Sequence, residues 1–191
     1  AVARQAVFFV VGLLCARGVV FGKYAPFGVA AVAAMPYHSM WSTVLGCAVG
    51  YLLPSQVSVP VHYIAAILAA AAIRWTMNDL VRVRQHPAFA PMTAFLPMLC
   101  TGMALAFVNG STPSGTAMYV AESLLAGGAA YFFAHAGTAL GSRRGASGLS
   151  GQEIACTLLS LGILLLAFAD LTIGSISLGH IAAVLGILFA A

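Results

Sequence analysis

Apolar residues run in long unbroken stretches along this chain, and polar residues gather in short turns between them. Eight stretches stand out: 5–22, 25–36, 40–53, 60–75, 88–108, 116–140, 152–169 and 175–191. A barrel strand would alternate polar with apolar over roughly ten residues, and these stretches do not, so each predicts a helix. Crossing hydrocarbon takes about 20 apolar residues. Most of the stretches approach that length, but 25–36 and 40–53 fall short. They read together as one compact helical hairpin around the turn Pro36-Tyr37-His38-Ser39, which either crosses twice with thin helices or dips in and returns. Pro60 suits a first helical turn, Pro97 predicts a kink, and 109–115 is the clearest turn in the chain. Ser150 with Glu153 three residues on has the spacing of a capping box opening the seventh helix.

Composition settles the solvent. Of 191 residues, 62% are hydrophobic and 6% charged, whereas a soluble domain carries about a quarter charged residues. The fold class is therefore all-α, a polytopic transmembrane helix bundle forming one integral-membrane domain over 1–191. The chain opens on Ala1 and stops inside an apolar run at Phe189-Ala190-Ala191, so it reads as an excerpt of a longer protein.

Charge adds orientation. If the eight stretches alternate across the membrane, Arg4, Arg74, Arg82, Arg84, Arg143 and Arg144 fall on one side and Lys23 on the other. Excess Lys and Arg in short loops marks the cytoplasmic side, so the amino end and both basic loops are expected there. The net charge of +4 is scattered rather than clustered, which argues against nucleic acid as a partner.

Arg17 and Glu122 are the charges most clearly placed within apolar runs. A guanidinium in hydrocarbon costs at least a few kcal/mol. Arg17 must therefore pair with Glu122 inside the bundle, snorkel to an interface, or line a wet pathway. Just beyond it the chain breaks at Ala25-Pro26-Phe27-Gly28, making Pro26, Phe27 and Gly28 structural candidates alongside the two charges. Gly46 with Gly50, and Gly137 with Gly141, have the spacing that lets helices approach closely, within the chain or between copies.

The remaining polar residues read as structural. His38 reads as a turn residue, His62 beside Tyr63 as an interfacial belt residue, and His135 and His180 as hydrogen-bonding a neighbouring helix. Cys15, Cys47, Cys100 and Cys156 lie in separate apolar runs and read as small hydrophobes. No phosphate-cradling glycine loop, His-Glu-x-x-His or cysteine pair appears. The sequence therefore offers no catalytic residue, cofactor-binding residue or metal ligand.

Three stretches together resemble the membrane domain of the stage II sporulation protein E (SpoIIE) family. The first is 13–18 running into Ala25-Pro26-Phe27-Gly28-Val29-Ala30, the second Ala121-Glu122-Ser123-Leu124-Leu125-Ala126-Gly127, the third Leu149-Ser150-Gly151-Gln152-Glu153 leading to 171–178. Cys15 departs mildly from the small residue expected there. The resemblance implies a membrane region of about ten helices, followed by a cytoplasmic regulatory segment and a manganese-dependent PPM-type serine/threonine phosphatase. It implies action on a phosphorylated anti-anti-sigma factor, release of the forespore sigma factor, and placement at the polar division septum with the division protein FtsZ. None of the phosphatase's metal-binding aspartates can be carried over to this chain.

Two functional readings follow. The first is a membrane anchor, localisation and self-association module of such a phosphatase. The second is a small-solute or ion transporter with its site at the 25–53 hairpin and Arg17, because short, interrupted segments are found at transporter binding sites. An intramembrane enzyme lacks any nucleophile or metal constellation.

Overall fold

A helix of only eight residues, about 12 Å long by its rise, lies at the centre of the molecule. In the computed structural model, which describes residues 2–20, 23–53, 60–110, 112–141, 150–169, 172–173 and 176–177, the elements are α1 (Val2–Arg17), α2 (Phe27–Ala34), a 3₁₀ turn (Tyr37–Ser39), α3 (Met40–Leu52), α4 (Pro60–Thr76), α5 (Val81–Arg84), α6 (Phe89–Val108), α7 (Pro113–Gly141) and α8 (Gly151–Ala169). Residues Phe27 to Ala33 of α2 are all buried. The helix is wrapped by α1, α3, α4, α6 and α7.

Side-chain contacts fix the directions. Gln5 meets Ser42, while a side chain at Gly46 would strike the Phe9 carbonyl and one at Gly50 the Leu13 carbonyl, so α1 and α3 run parallel. Ala25 meets Tyr63 and Val32 meets Arg74, so α2 and α4 also run parallel to each other. Gly102 faces Tyr119 and Gly127 faces Phe95, so α6 and α7 are antiparallel. The hairpin expected over 25–53 is therefore not the packing unit. α3 lies chiefly along α1, and α2 inserts among α4, α6 and α7.

Large apolar residues cover the outside of the molecule as well as its core. On α3, Trp41, Leu45, Val49 and Leu52 face outward, with Leu45 60% and Leu52 67% exposed. Its inner face is Thr43, Gly46, Cys47 and Gly50. α7 turns Leu124 and Leu125 out and Glu122, Ser123, Ala126 and Ala130 in. Lipid gives apolar side chains no reason to hide, so small residues at the contacts let backbones close up. Phe107, 90% exposed, is stable only against an apolar medium or a partner.

Several sequence expectations are corrected. Among the described residues two helices, Phe89–Val108 and Pro113–Thr138, are long and apolar enough for a complete span; Val61–Thr76 and Gly151–Leu165 are apolar but shorter, so these helices do not by themselves establish a bundle of about eight spans. Residues Thr172–Ile173 pair antiparallel with Ile176–Ser177 where an eighth helix was expected to begin; the rest of 175–191, with His180, lies outside the described residues, as do Arg143 and Arg144. Arg74, expected in a loop, is buried within α4. That loop holds α5, which the sequence did not announce. α6 continues through Pro97. The capping box forms: Glu153 N–H donates to Ser150 Oγ (3.3 Å), and Ser150 N–H to Glu153 Oε2 (2.7 Å).

The two glycine pairs separate under this geometry. Gly46 and Gly50 are filled by α1, whereas a side chain at Gly137 would meet nothing within 4 Å. Gly46→Ala should lower stability by about 1–3 kcal/mol through overpacking. Gly137→Ala should raise it by about 0.5–1 kcal/mol through helix propensity. Thermal unfolding of the detergent-solubilised protein measures both, and equal shifts would contradict the α1–α3 contact.

Candidate functional site

Ala25 immediately precedes Pro26, which disfavours a helical backbone at Ala25. Its N–H and carbonyl are therefore outside any helical ladder, yet the residue is completely buried. Unpaired backbone groups in an apolar interior are costly, and side chains from two other helices answer them, one of them held in turn from a third. The Ala25 N–H donates to Tyr63 Oη of α4 at 3.1 Å. The Ala25 carbonyl accepts from Tyr51 Oη of α3 at 2.7 Å. Tyr63 in turn donates to Glu122 Oε1 of α7 at 2.5 Å. The two tyrosine rings stack, with centroids 4.9 Å apart and planes 17° from parallel. One residue at a chain break thus ties α2, α3, α4 and α7 together.

The neighbouring sequence makes room for this. Gly28 stands where a side chain would collide with the Tyr51 ring and hydroxyl. Pro26 is fully buried and sets the backbone just ahead of α2. Phe27 is buried beside it. Cys47 Sγ donates to the Gly12 carbonyl at 3.2 Å, joining α3 to α1 just behind. The three residues that the sequence singled out at 26–28 directly follow the backbone on which this polar network converges.

At the far end of α2, Arg74 of α4 donates from one guanidinium nitrogen to the Val32 carbonyl. Val32 lies in the last turn, where carbonyls lack intrahelical partners and the helix dipole is negative. A half-length helix is thus satisfied at both ends by side chains of its neighbours.

Glu122 is 2% exposed, and its Oε2 is buried with no hydrogen-bond partner. Its hydrogen-bonded oxygen is held by a tyrosine, so on the Glu122 side the arginine partner considered from sequence is replaced by Tyr63. Arg17 closes α1 half-buried, at the end of the bundle where Tyr51 meets Ala25. His62, expected in an interfacial belt, is buried. Its ring sits 4.4 Å from that of Tyr63 and 6.0 Å from that of Tyr119, and its Nε2 also lacks a partner. His135 bonds the Tyr131 carbonyl of its own helix at 2.9 Å rather than a neighbouring helix. His38 is exposed in the 3₁₀ turn, its ring edge-on to Phe8.

Sequence reasoning missed Tyr51, Tyr63 and His62. The available signal was Tyr119 and Glu122, three residues apart on one helix face, which need polar company inside a bundle. Among the described residues no three His, Cys, Asp or Glu side chains gather as a metal site. All four cysteines are free, and Cys100 is exposed where a buried position was expected. Gly141 ends α7. The network can hold helices in register.

Tyr63→Phe removes the acceptor for the Ala25 N–H and the donor to Glu122 together, and should cost about 1–3 kcal/mol. Glu122→Gln keeps an acceptor for Tyr63 and should cost less. The double variant should deviate from additivity by about 0.5–3 kcal/mol, read from unfolding midpoints in detergent. Gly28→Ala, despite its better helix propensity, should destabilise. Strict additivity of Tyr63→Phe and Glu122→Gln would separate the two residues.

The family model described as SpoIIE, N-terminal domain, matches residues 1–191, the whole chain. No curated protein and no solved structure matches it.

Proposed function

The chain belongs to the SpoIIE N-terminal domain family, and from that premise we propose that it is a multi-pass membrane module that anchors, places and clusters a cytoplasmic protein phosphatase. The observation that carries the reading is the match over the full length of the chain. The apolar exterior supports it, because Trp41, Leu45, Leu52, Trp75, Leu124 and Leu158 are each more than half exposed. Helices shorter than a full span fit a membrane body when protein rather than lipid surrounds their ends, as it does for α2.

In this reading the membrane body is fastened with its basic end toward the cytoplasm. Arg4 at the start of α1, Arg74 at the end of α4, and Arg82 and Arg84 in α5 all lie toward that end. The parent protein carries a PPM-type phosphatase with manganese beyond this segment. It dephosphorylates the phosphorylated anti-anti-sigma factor and works at the polar septum with FtsZ. The membrane segment itself performs no catalysis. Gly46 and Gly50 are consumed by α1, so self-association falls to the outward apolar faces.

A transporter centred on Arg17 and 25–53 needs an aqueous route to the chain break. Ala25, Val29, Ala30, Ala31 and Val32 have no exposed surface, which favours the anchor.

Replacing residues 1–191 of the full-length protein with an unrelated multi-pass anchor should abolish septal placement while the phosphatase still turns over in vitro. Unchanged placement would remove the localisation role. Separately, Arg82→Cys in a background lacking the native cysteines should be labelled by impermeant thiol reagents only in inside-out vesicles. Labelling from outside intact cells would reverse the orientation.

A further inference from the structure

At the basic end of the bundle a cavity of about 430 Å³ opens between α2, α4, α6 and α7. Arg74, Arg84, Gln85, His86, His135 and Thr138 supply its polar lining, and none of its lining residues is acidic. The carbonyl end of α2 borders it, and Arg74 already meets that partial negative charge at Val32. Arg74 has five donors and that bond takes one. Arg84 is held only loosely, by Asn78 Oδ1 at 3.4 Å. His86 Nδ1 accepts the Ala88 N–H at 3.2 Å, which leaves Nε2 as the donor of its neutral ring. Two guanidiniums border the same cavity, so an anion placed between them would relieve their mutual repulsion.

A second cavity, about 380 Å³, adjoins the first through His86 and Phe89. Its other lining residues are Val83, Ala88, Met92 and, at the rim, Arg82. Apart from Arg82 and His86 this groove is apolar. The short helix that lines both cavities, α5, alternates Arg82 and Arg84 with half-exposed Val81 and Val83. Such a segment suits the plane where headgroups meet acyl chains. A cationic chamber continuous with an apolar groove matches a molecule with an anionic head and a hydrocarbon tail.

We propose that the paired cavities bind one acidic phospholipid, its phosphate between Arg74 and Arg84 and an acyl chain along Phe89 and Met92. Basic pockets between helices on the cytoplasmic side are suited to such headgroups. The inference rests on the membrane reading above but not on which side of the cell the basic end faces. The bound lipid would tie α5 and the loop around it to the bundle.

The test uses full-length protein purified in a neutral detergent and supplied with phosphatidylglycerol, phosphatidylcholine or inorganic phosphate. Native mass spectrometry counts retained lipid, and thermal unfolding reports stabilisation. Phosphatidylglycerol should be retained and raise the unfolding midpoint, while phosphatidylcholine and phosphate alone should do neither. Arg84→Gln, at an exposed residue whose loss leaves the cap on α2 intact, should weaken retention about fivefold, the worth of one interfacial cation. Met92→Asp, in the groove, should weaken it independently. Lys23→Gln, at the opposite end, should leave it unchanged. Equal retention of both lipids, or an equal loss in Lys23→Gln, overturns the site. Stabilisation by phosphate matching that by phosphatidylglycerol overturns the lipid in favour of a free anion. Loss of septal placement in the anchor-swap experiment reads the anchoring role alone, so the two proposals fail separately.

Discussion

A helix too short to cross hydrocarbon has to find protein partners for both of its ends, and most of this bundle is arranged to supply them to α2. Water would otherwise hydrate the backbone at Ala25 and the carbonyls near Val32. Inside an apolar body each such group left unpaired costs on the order of a few kcal/mol. Tyr51, Tyr63 and Arg74 meet those needs from α3 and α4, and Glu122 holds Tyr63 in place from α7. The partners come from three separate helices, so satisfying α2 fixes how those helices stand relative to one another. Polar side chains here specify arrangement, where leucine against lipid would specify very little.

The same constraint accounts for the glycines and alanines. Helices can wrap a buried eight-residue helix only if their backbones approach it closely, so the surfaces turned to α2 and between α1 and α3 carry Gly12, Gly46, Gly50 and a series of alanines. On α3, Trp41, Leu45, Val49 and Leu52 lie outward, as do Leu158, Leu159 and Leu161 on α8, where lipid or other protein can cover them, while Met40 and Tyr51 of α3 stay inside.

The basic end differs in kind from the rest. Arg74 serves both regions, capping α2 inward while facing the cavity outward. Loading of that cavity is thereby linked physically to the helix at the centre of the bundle.

Much of this was legible in the residues alone. Runs of apolar residues with so few charges admit only helices in lipid, because a backbone in hydrocarbon must satisfy itself internally. The break at Ala25-Pro26, the capping box at Ser150 and the placing of Arg4, Arg82 and Arg84 at one end follow from local chemistry that a sequence displays directly. The family resemblance rested on such stretches too. Partnership was not legible. Tyr63 lies 59 residues from Glu122 and Arg74 lies 42 from Val32, and nothing in the spacing of either pair announces the other. Sequence could say that Glu122 needed a partner and that 25–36 was too short to span. Only the packed structure gave Glu122 a tyrosine, drew Arg74 inward and placed the short helix at the centre, because burial and hydrogen bonding between distant residues depend on which helices come to lie side by side.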